Sequence, residues 1–170
     1  MESVKWAHCQ KQIAAAIALG SNLGDSLKIL EGALSILAKT PGIELKQTSS
    51  WYRTAPIGPP QPDYLNGCAV LETPMAPLLL LETLLDVERQ FGRERRERWG
   101  PRTLDLDLIL FGDLILEKPQ LHIPHPRMRE RAFVLIPLAE IAPDWVDPLT
   151  QKSIAQLRDA VNCSGVARLE

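Results

Sequence analysis

The sequence predicts an α+β sandwich, an antiparallel sheet with helices packed on both faces, and three observations carry that prediction. Short apolar runs bounded by turn residues alternate with longer segments whose leucines recur every three or four positions. The order of these segments is β-α-β-β-α-β, followed by additions. The 170 residues, 45% hydrophobic and 24% charged, suffice for one domain with a real core.

The first element is the apolar run over 13–19, a buried strand that ends in the turn residues Gly20-Ser21-Asn22-Leu23-Gly24-Asp25. A helix follows, with Leu27, Leu30, Leu34 and Leu37 on one face. Asp25 or Ser26 can cap its start, and Pro41-Gly42 stops it. Residues 43–53 read as one strand, closed by a loop over 54–62 whose four prolines restrict the backbone and give it an ordered shape. Residues 64–72 form another strand. A second helix spans 77–91, with Leu80, Leu84, Val87 and Phe91 aligned and Gly92 beyond its end. Residues 104–111 are a strand that Gly112-Asp113 turns into Leu114-Ile115-Leu116. One helix over 127–140 and a shorter one over 153–161 complete the chain.

The pattern is that of a ferredoxin-like sandwich, a single domain over 13–170. Residues 1–12 read as a short leader open to disorder, without the features of a secretory signal. No apolar run spans a bilayer, and a formal net charge of -2 gives no global basic field for nucleic acid or an anionic membrane. Cys9, Cys68 and Cys163 are odd in number and lack metal-site spacing, which suits a reducing cytoplasm.

The sharpest chemical signal is Arg102-Thr103-Leu104-Asp105-Leu106-Asp107-Leu108. Strand side chains alternate, so Leu104, Leu106, Leu108 and Leu110 point into a core and Asp105 and Asp107 project together on the other face. Two close carboxylates repel unless a cation or proton lies between them, and magnesium accepts a few protein oxygens and leaves its other positions to water and phosphate. A half-exposed strand with a polar outer face explains the alternation equally well. The flanks shift the balance. Residues 92–102 hold five arginines and no lysine between Gly92 and Gly100-Pro101, a loop suited to forking onto phosphate oxygens. A solvated mixed-charge helix extension is the ordinary alternative for such a run. Downstream, His125 sits between two prolines, and Arg127 and Arg131 fall four apart on one face at the start of a helix. Phe133 counts as core by its helical spacing. No GxxxxGK[ST] loop, GxGxxG fingerprint or protein-kinase signature is present.

With these segments in hand, the chain closely resembles the 6-hydroxymethyl-7,8-dihydropterin pyrophosphokinase family of folate biosynthesis. The resemblance rests on residues 18–24, Ser49-Ser50-Trp51-Tyr52-Arg53-Thr54, Gln61-Pro62-Asp63-Tyr64-Leu65-Asn66, Arg98-Trp99-Gly100-Pro101-Arg102-Thr103-Leu104-Asp105-Leu106-Asp107 and Ile123-Pro124-His125-Pro126-Arg127. It implies transfer of the β,γ-diphosphate of ATP to the pterin hydroxymethyl oxygen, with release of AMP and use of two Mg2+ ions. It implies Asp105 and Asp107 as metal ligands, with Arg93 and Arg102 stabilising the migrating phosphates. Tyr64 and Phe133 match the rings that sandwich the pterin, Asn66 matches a residue that bonds its edge, and Thr54, Ala55 and Ile57 supply further bonds there. Glu88, Arg95, Arg96, Trp99, His125 and Arg131 match or lie near ATP-contacting positions. The implied protein is a cytoplasmic monomer that needs neither nucleic acid nor membrane, encoded beside or fused to other folate-pathway enzymes. The loop between Gly92 and Trp99 is one residue shorter than in some members, Ala55 stands where proline is common, and the leader has no counterpart. A ferredoxin-like RNA-binding module is the main alternative, but the RNP aromatic strand motif is missing and paired aspartates repel phosphate without a cation. A pterin-binding protein that has lost catalysis is the second; the retention of Asp105, Asp107, Arg93 and Arg102 speaks against it.

Overall fold

A computed structural model describes residues 11–56, 58–92 and 103–170. Its centre is a six-stranded antiparallel sheet. Strand β1 (Ile13–Ser21) lies between β5 (Asp105–Phe111) and β4 (Tyr64–Thr73). The outer edge of β4 is shared by β2 (Glu44–Thr48) and β3 (Tyr52–Thr54), and β8 (Val166–Arg168) pairs beyond β3. A separate two-stranded sheet joins β6 (Leu116–Lys118) to β7 (Leu121–Ile123).

Helices α1 (Ser26–Lys39) and α2 (Pro77–Gln90) cover one face. Leu30 and Leu37 of α1 and Leu80 and Leu84 of α2 pack there on Ile17, Leu19, Leu71, Leu106 and Leu108. Each such leucine, removed from water, contributes about 1.5–3 kcal/mol. Asp25 caps α1, accepting from the Lys28 amide at 3.3 Å, and α2 begins at Pro77, whose missing N–H costs nothing at a first helical position. The other face is covered by α3 (Ala132–Ile141) and α4 (Ile154–Asp159), with Val134, Leu135, Leu138, Ile154 and Leu157 packed on Ala16, Cys68, Val70 and Leu110. Ser153 and Gln156 cap α4 reciprocally. Among the described residues no helix is long and apolar enough to cross a membrane, and Cys68 and Cys163 are free thiols.

Three expectations change. The strand read over 43–53 is two strands, because Ser49 interrupts the ladder: its hydroxyl accepts the Cys68 amide at 2.9 Å and donates to the Ser50 carbonyl at 2.7 Å. Trp51 then lies over Gly67, where a Cβ would come within 2.6 Å of the indole. The helix read over 127–140 is a 3-10 turn (Met128–Glu130) followed by α3, separated by Arg131 in extended conformation, so Arg127 and Arg131 do not share one helical face. Strand β5 carries a bulge: pairing passes from Ala16 with Leu110 to Ile17 with Leu108 and leaves Ile109 extra. Leu104, Leu106 and Leu108 face the α1/α2 core as expected, whereas Leu110 joins the α3/α4 core.

Candidate functional site

The register of the sheet brings the sequence's candidate residues to one end of the α3 face. Asp105 of β5 is paired with Gly20 of β1, Gly20 with Asn66 of β4, and Asn66 with Tyr52 of β3. Two rungs further along, Asp107 is paired with Ala18, and Ala18 with Cys68. Alternation puts Tyr64 and Thr54, paired across β4 and β3, on the same face. Helix α3 does not close this end: Asp105, Asp107, Ala18, Tyr64 and Thr54 keep partial exposure, whereas Ala16, Val70 and Leu110 beneath the helix are buried.

Gly20 forms the floor between the acidic strand and the amide. A Cβ there would lie 2.8 Å from Asn66 Oδ1, so a larger residue would displace the amide, while the Tyr64 ring at 3.8 Å would be in ordinary contact. The Asn66 Nδ2 donates to Thr54 Oγ1 at 3.0 Å, which fixes the way the amide faces. The loop after β3 is pinned from β1: Asn22 Nδ2 donates to Gln61 Oε1 at 2.8 Å and to the Pro62 carbonyl at 3.0 Å. Those bonds fix the end of the proline-rich loop at Gln61 and Pro62.

The bulge in β5 places the histidine. With Ile109 set aside from the ladder, its carbonyl accepts the His125 amide at 2.9 Å. His125 Nδ1 accepts from the Arg127 amide at 3.2 Å, so in the neutral ring the proton sits on Nε2, a donor. Burial first, then the Arg131 charge, hold the imidazole down at about 4, and Asp105 opposes them. The ring is therefore neutral at ordinary pH. The Arg131 guanidinium carbon lies 5.5 Å from the Phe133 ring centroid, and Phe133 is partly buried on the α3/α4 core rather than enclosed by it. Glu88 approaches from the opposite side. It is buried in α2, and its Oε1 accepts the Leu106 amide at 3.2 Å, holding the outer edge of β5 next to the aspartates. Arg93, Arg95, Arg96, Trp99, Arg102 and Ile57 lie outside the described residues.

The donor set suits magnesium. Two carboxylates two residues apart on one strand, partly exposed and opposite the small residues Gly20 and Ala18, supply hard oxygens and room for water and phosphate. Sequence reasoning did not single out Gly20, Asn22 or the bulge as parts of the site. The glycine and asparagine stood in a motif, but the bulge has no local signature in a run of leucines and isoleucine.

A sheet end with carboxylates on β5, a fixed amide two strands away on β4 and a neutral imidazole moored to β5 has the chemistry to hold a cation-bound phosphate beside a polar acceptor, the class of a group-transfer enzyme. Comparison with known proteins identifies which. Residues 16–143 match the model of the 7,8-dihydro-6-hydroxymethylpterin-pyrophosphokinase (HPPK) family, and the chain belongs to that family. It is 57% identical to a 2-amino-4-hydroxy-6-hydroxymethyldihydropteridine pyrophosphokinase of Synechocystis over 152 residues, 89% of this chain and 78% of that one. It is 47% identical to the Haemophilus influenzae protein of the same name, covering 82% and 88% respectively. A Plasmodium falciparum HPPK-DHPS crystallised with pterin and p-hydrobenzoate shares the fold at a TM-score of 0.74 and 16% identity. That match takes in 96% of this chain, which spans about half of the longer one, 46%.

Proposed function

We propose that the end of the sheet left open by α3 is where this pyrophosphokinase brings ATP and 6-hydroxymethyl-7,8-dihydropterin together, with Asp105 and Asp107 as ligands of two magnesium ions. The reaction gives the pterin diphosphate and AMP in folate biosynthesis. The hydroxymethyl oxygen attacks the β-phosphorus, the bond from that phosphorus to the α-phosphate oxygen breaks, and the hydroxyl proton is released. Such transfer asks a protein mainly for alignment and for neutralisation of developing charge. Bound magnesium supplies neutralisation of the triphosphate.

The remaining roles fall to side chains. Tyr64 and Phe133 stack on the pterin, Asn66 reads its edge from an orientation set by Thr54, and the backbone of Thr54, Ala55 and Ile57 adds hydrogen bonds. His125 donates from Nε2 to a phosphate oxygen, and Arg131 adds positive charge next to it. Arg93 and Arg102 stabilise the migrating group, and Arg95, Arg96 and Trp99 contact ATP from the same loop. Glu88 contributes at the nucleotide side, and its bond to the Leu106 amide supports a second role in holding β5. The observation that supports this reading is the cross-strand row Asp105–Gly20–Asn66, which puts a carboxylate and a side-chain amide on one face with only a glycine between them.

The same proposal treats 13–170 as one domain and the protein as a cytoplasmic monomer. The late elements support a single unit, since α4 packs in the α3 core and β8 pairs with β3. The test is incubation of the purified chain with ATP, magnesium and 6-hydroxymethyl-7,8-dihydropterin. AMP should form only when all three are present and stop when EDTA removes the metal; AMP formation without pterin, or undiminished in EDTA, would refute the assignment.

A further inference from the structure

Away from the groups assigned above, one polar contact between the exposed Glu140 and the buried Tyr52 joins the two walls of the proposed pterin slot. Glu140 lies near the C-terminal end of α3, and both of its carboxylate oxygens are engaged by the short segment that starts β3. Tyr52 Oη donates to Oε1 at 2.5 Å, and the Ser50 amide donates to Oε2 at 2.6 Å. Arg168 of β8, paired with Tyr52, favours the charged carboxylate.

Each end of this contact leads to the slot. Phe133 and Glu140 are seven residues apart, two helical turns, so they lie on one stripe of α3, about 10 Å apart along the axis. Pro137 stands between them and cannot donate to the Phe133 carbonyl, so the turn bearing the ring lacks one bond of the helix ladder. That turn is held by the burial of Val134 and Leu135 and by the Val134 carbonyl, which accepts from Cys68 Sγ at 3.5 Å, and the far end of the same helix is held by Glu140. On the sheet side, Tyr52 is paired with Asn66, and two residues on β3 ends in Thr54, the acceptor of the Asn66 amide.

We propose that Tyr52 and Glu140 are positioning residues for the pterin: their contact sets how far α3, with Phe133, stands from the strands that carry Asn66 and Thr54. The spacing of such a slot decides whether a flat ring is gripped on both sides. Burial and the carboxylate push the Tyr52 phenol up to about 12, and against a partial desolvation the hydrogen bonds from Tyr52 and Ser50 hold Glu140 below its ordinary value. The contact is thus a neutral donor to a charged acceptor throughout the working range.

The inference rests on the pterin roles given above to Phe133 and Asn66, and the experiment separates the two. Kd for the pterin, in the presence of a non-hydrolysable ATP analogue, and KM for both substrates are measured for Tyr52→Phe, Glu140→Gln, their double variant and Phe133→Ala, with Tm for each. Tyr52→Phe should weaken pterin binding about ten-fold, equivalent to about 1.4 kcal/mol, and leave KM for ATP within about two-fold. Glu140→Gln retains one acceptor and should show a similar or smaller loss, with the double variant well short of the product of the two. If Tm falls while the ratio of the two substrate affinities stays at the wild-type value, the contact is merely structural and the inference is wrong. If Phe133→Ala also leaves pterin affinity unchanged, the slot itself has been misplaced.

Discussion

The two faces of the central sheet are built from the same strands, yet among the described residues one is sealed and the other is not. Against α1 and α2, leucines of β1, β4 and β5 meet leucines of the helices along the whole length, and Leu106 and Leu108 are almost fully buried. Against α3 the same strands are covered at one end only. Beyond the helix stand Asp105, Asp107, Asn66, Tyr64 and Thr54, on alternate residues to that leucine stripe. Packing of one face supplies the rigidity with which the other can present charged groups to a ligand. Neighbouring residues of β5 should therefore respond to mutation in opposite ways.

The largest expected effect is at Asp107. Asp107→Ala should lower kcat by about a thousand-fold or more, the scale of losing a main element of charge stabilisation, with Tm barely changed. A steady-state assay and a thermal melt decide it, and near-normal turnover in magnesium would remove the metal assignment. Leu108→Ala, one residue along, should cost about 2–5 kcal/mol of stability by opening a cavity, while kcat per folded molecule stays near wild type. Should it instead inactivate a still-stable protein, the division between the faces fails.

His125 sharpens the comparison through pH. Its folded value of about 4 lies below the ordinary 6.5, so the unfolded chain takes up a proton that the folded ring refuses between those limits. Stability linked to the ring is complete above about pH 6.5 and is lost as pH falls toward 4. Allowing for its partial exposure the loss is roughly 1–2 kcal/mol, and denaturant melts of His125→Gln should lack that slope. The smallest effect is at Gly20. The new Cβ of Gly20→Ala meets Asn66 Oδ1 and should weaken pterin binding about ten-fold, leaving KM for ATP and Tm close to wild type.

Much of this was legible in the sequence, for physical reasons that differ by element. The period-two alternation of Leu104 to Leu108 assigned both faces of β5, because strand geometry permits no other outcome until the bulge. Helices α1 and α2 followed from leucine spacing with a cap at Asp25 and a proline start at Pro77. The misreadings came where side chains compete with the backbone ladder or where backbone angles change without a glycine or proline to mark them. Ser49 takes the Cys68 amide and splits a strand, and Arg131 adopts an extended conformation ahead of an apolar helix. The residues that carry the proposed chemistry were visible because charge is costly on a leucine-rich strand. The groups that hold them, such as Glu88 on the Leu106 amide, depend on contacts between segments far apart in the chain.

The extra residue in β5 has one more implication. Because Leu110 and Phe111 already point as they would in an uninterrupted ladder running on from Leu108, excising Ile109 would leave every other side chain of the strand on its present face. What would go is the carbonyl that moors the imidazole segment. The sheet would keep its beat while the histidine lost its berth, and the missing Ile109 side chain would leave a gap in the α3/α4 core.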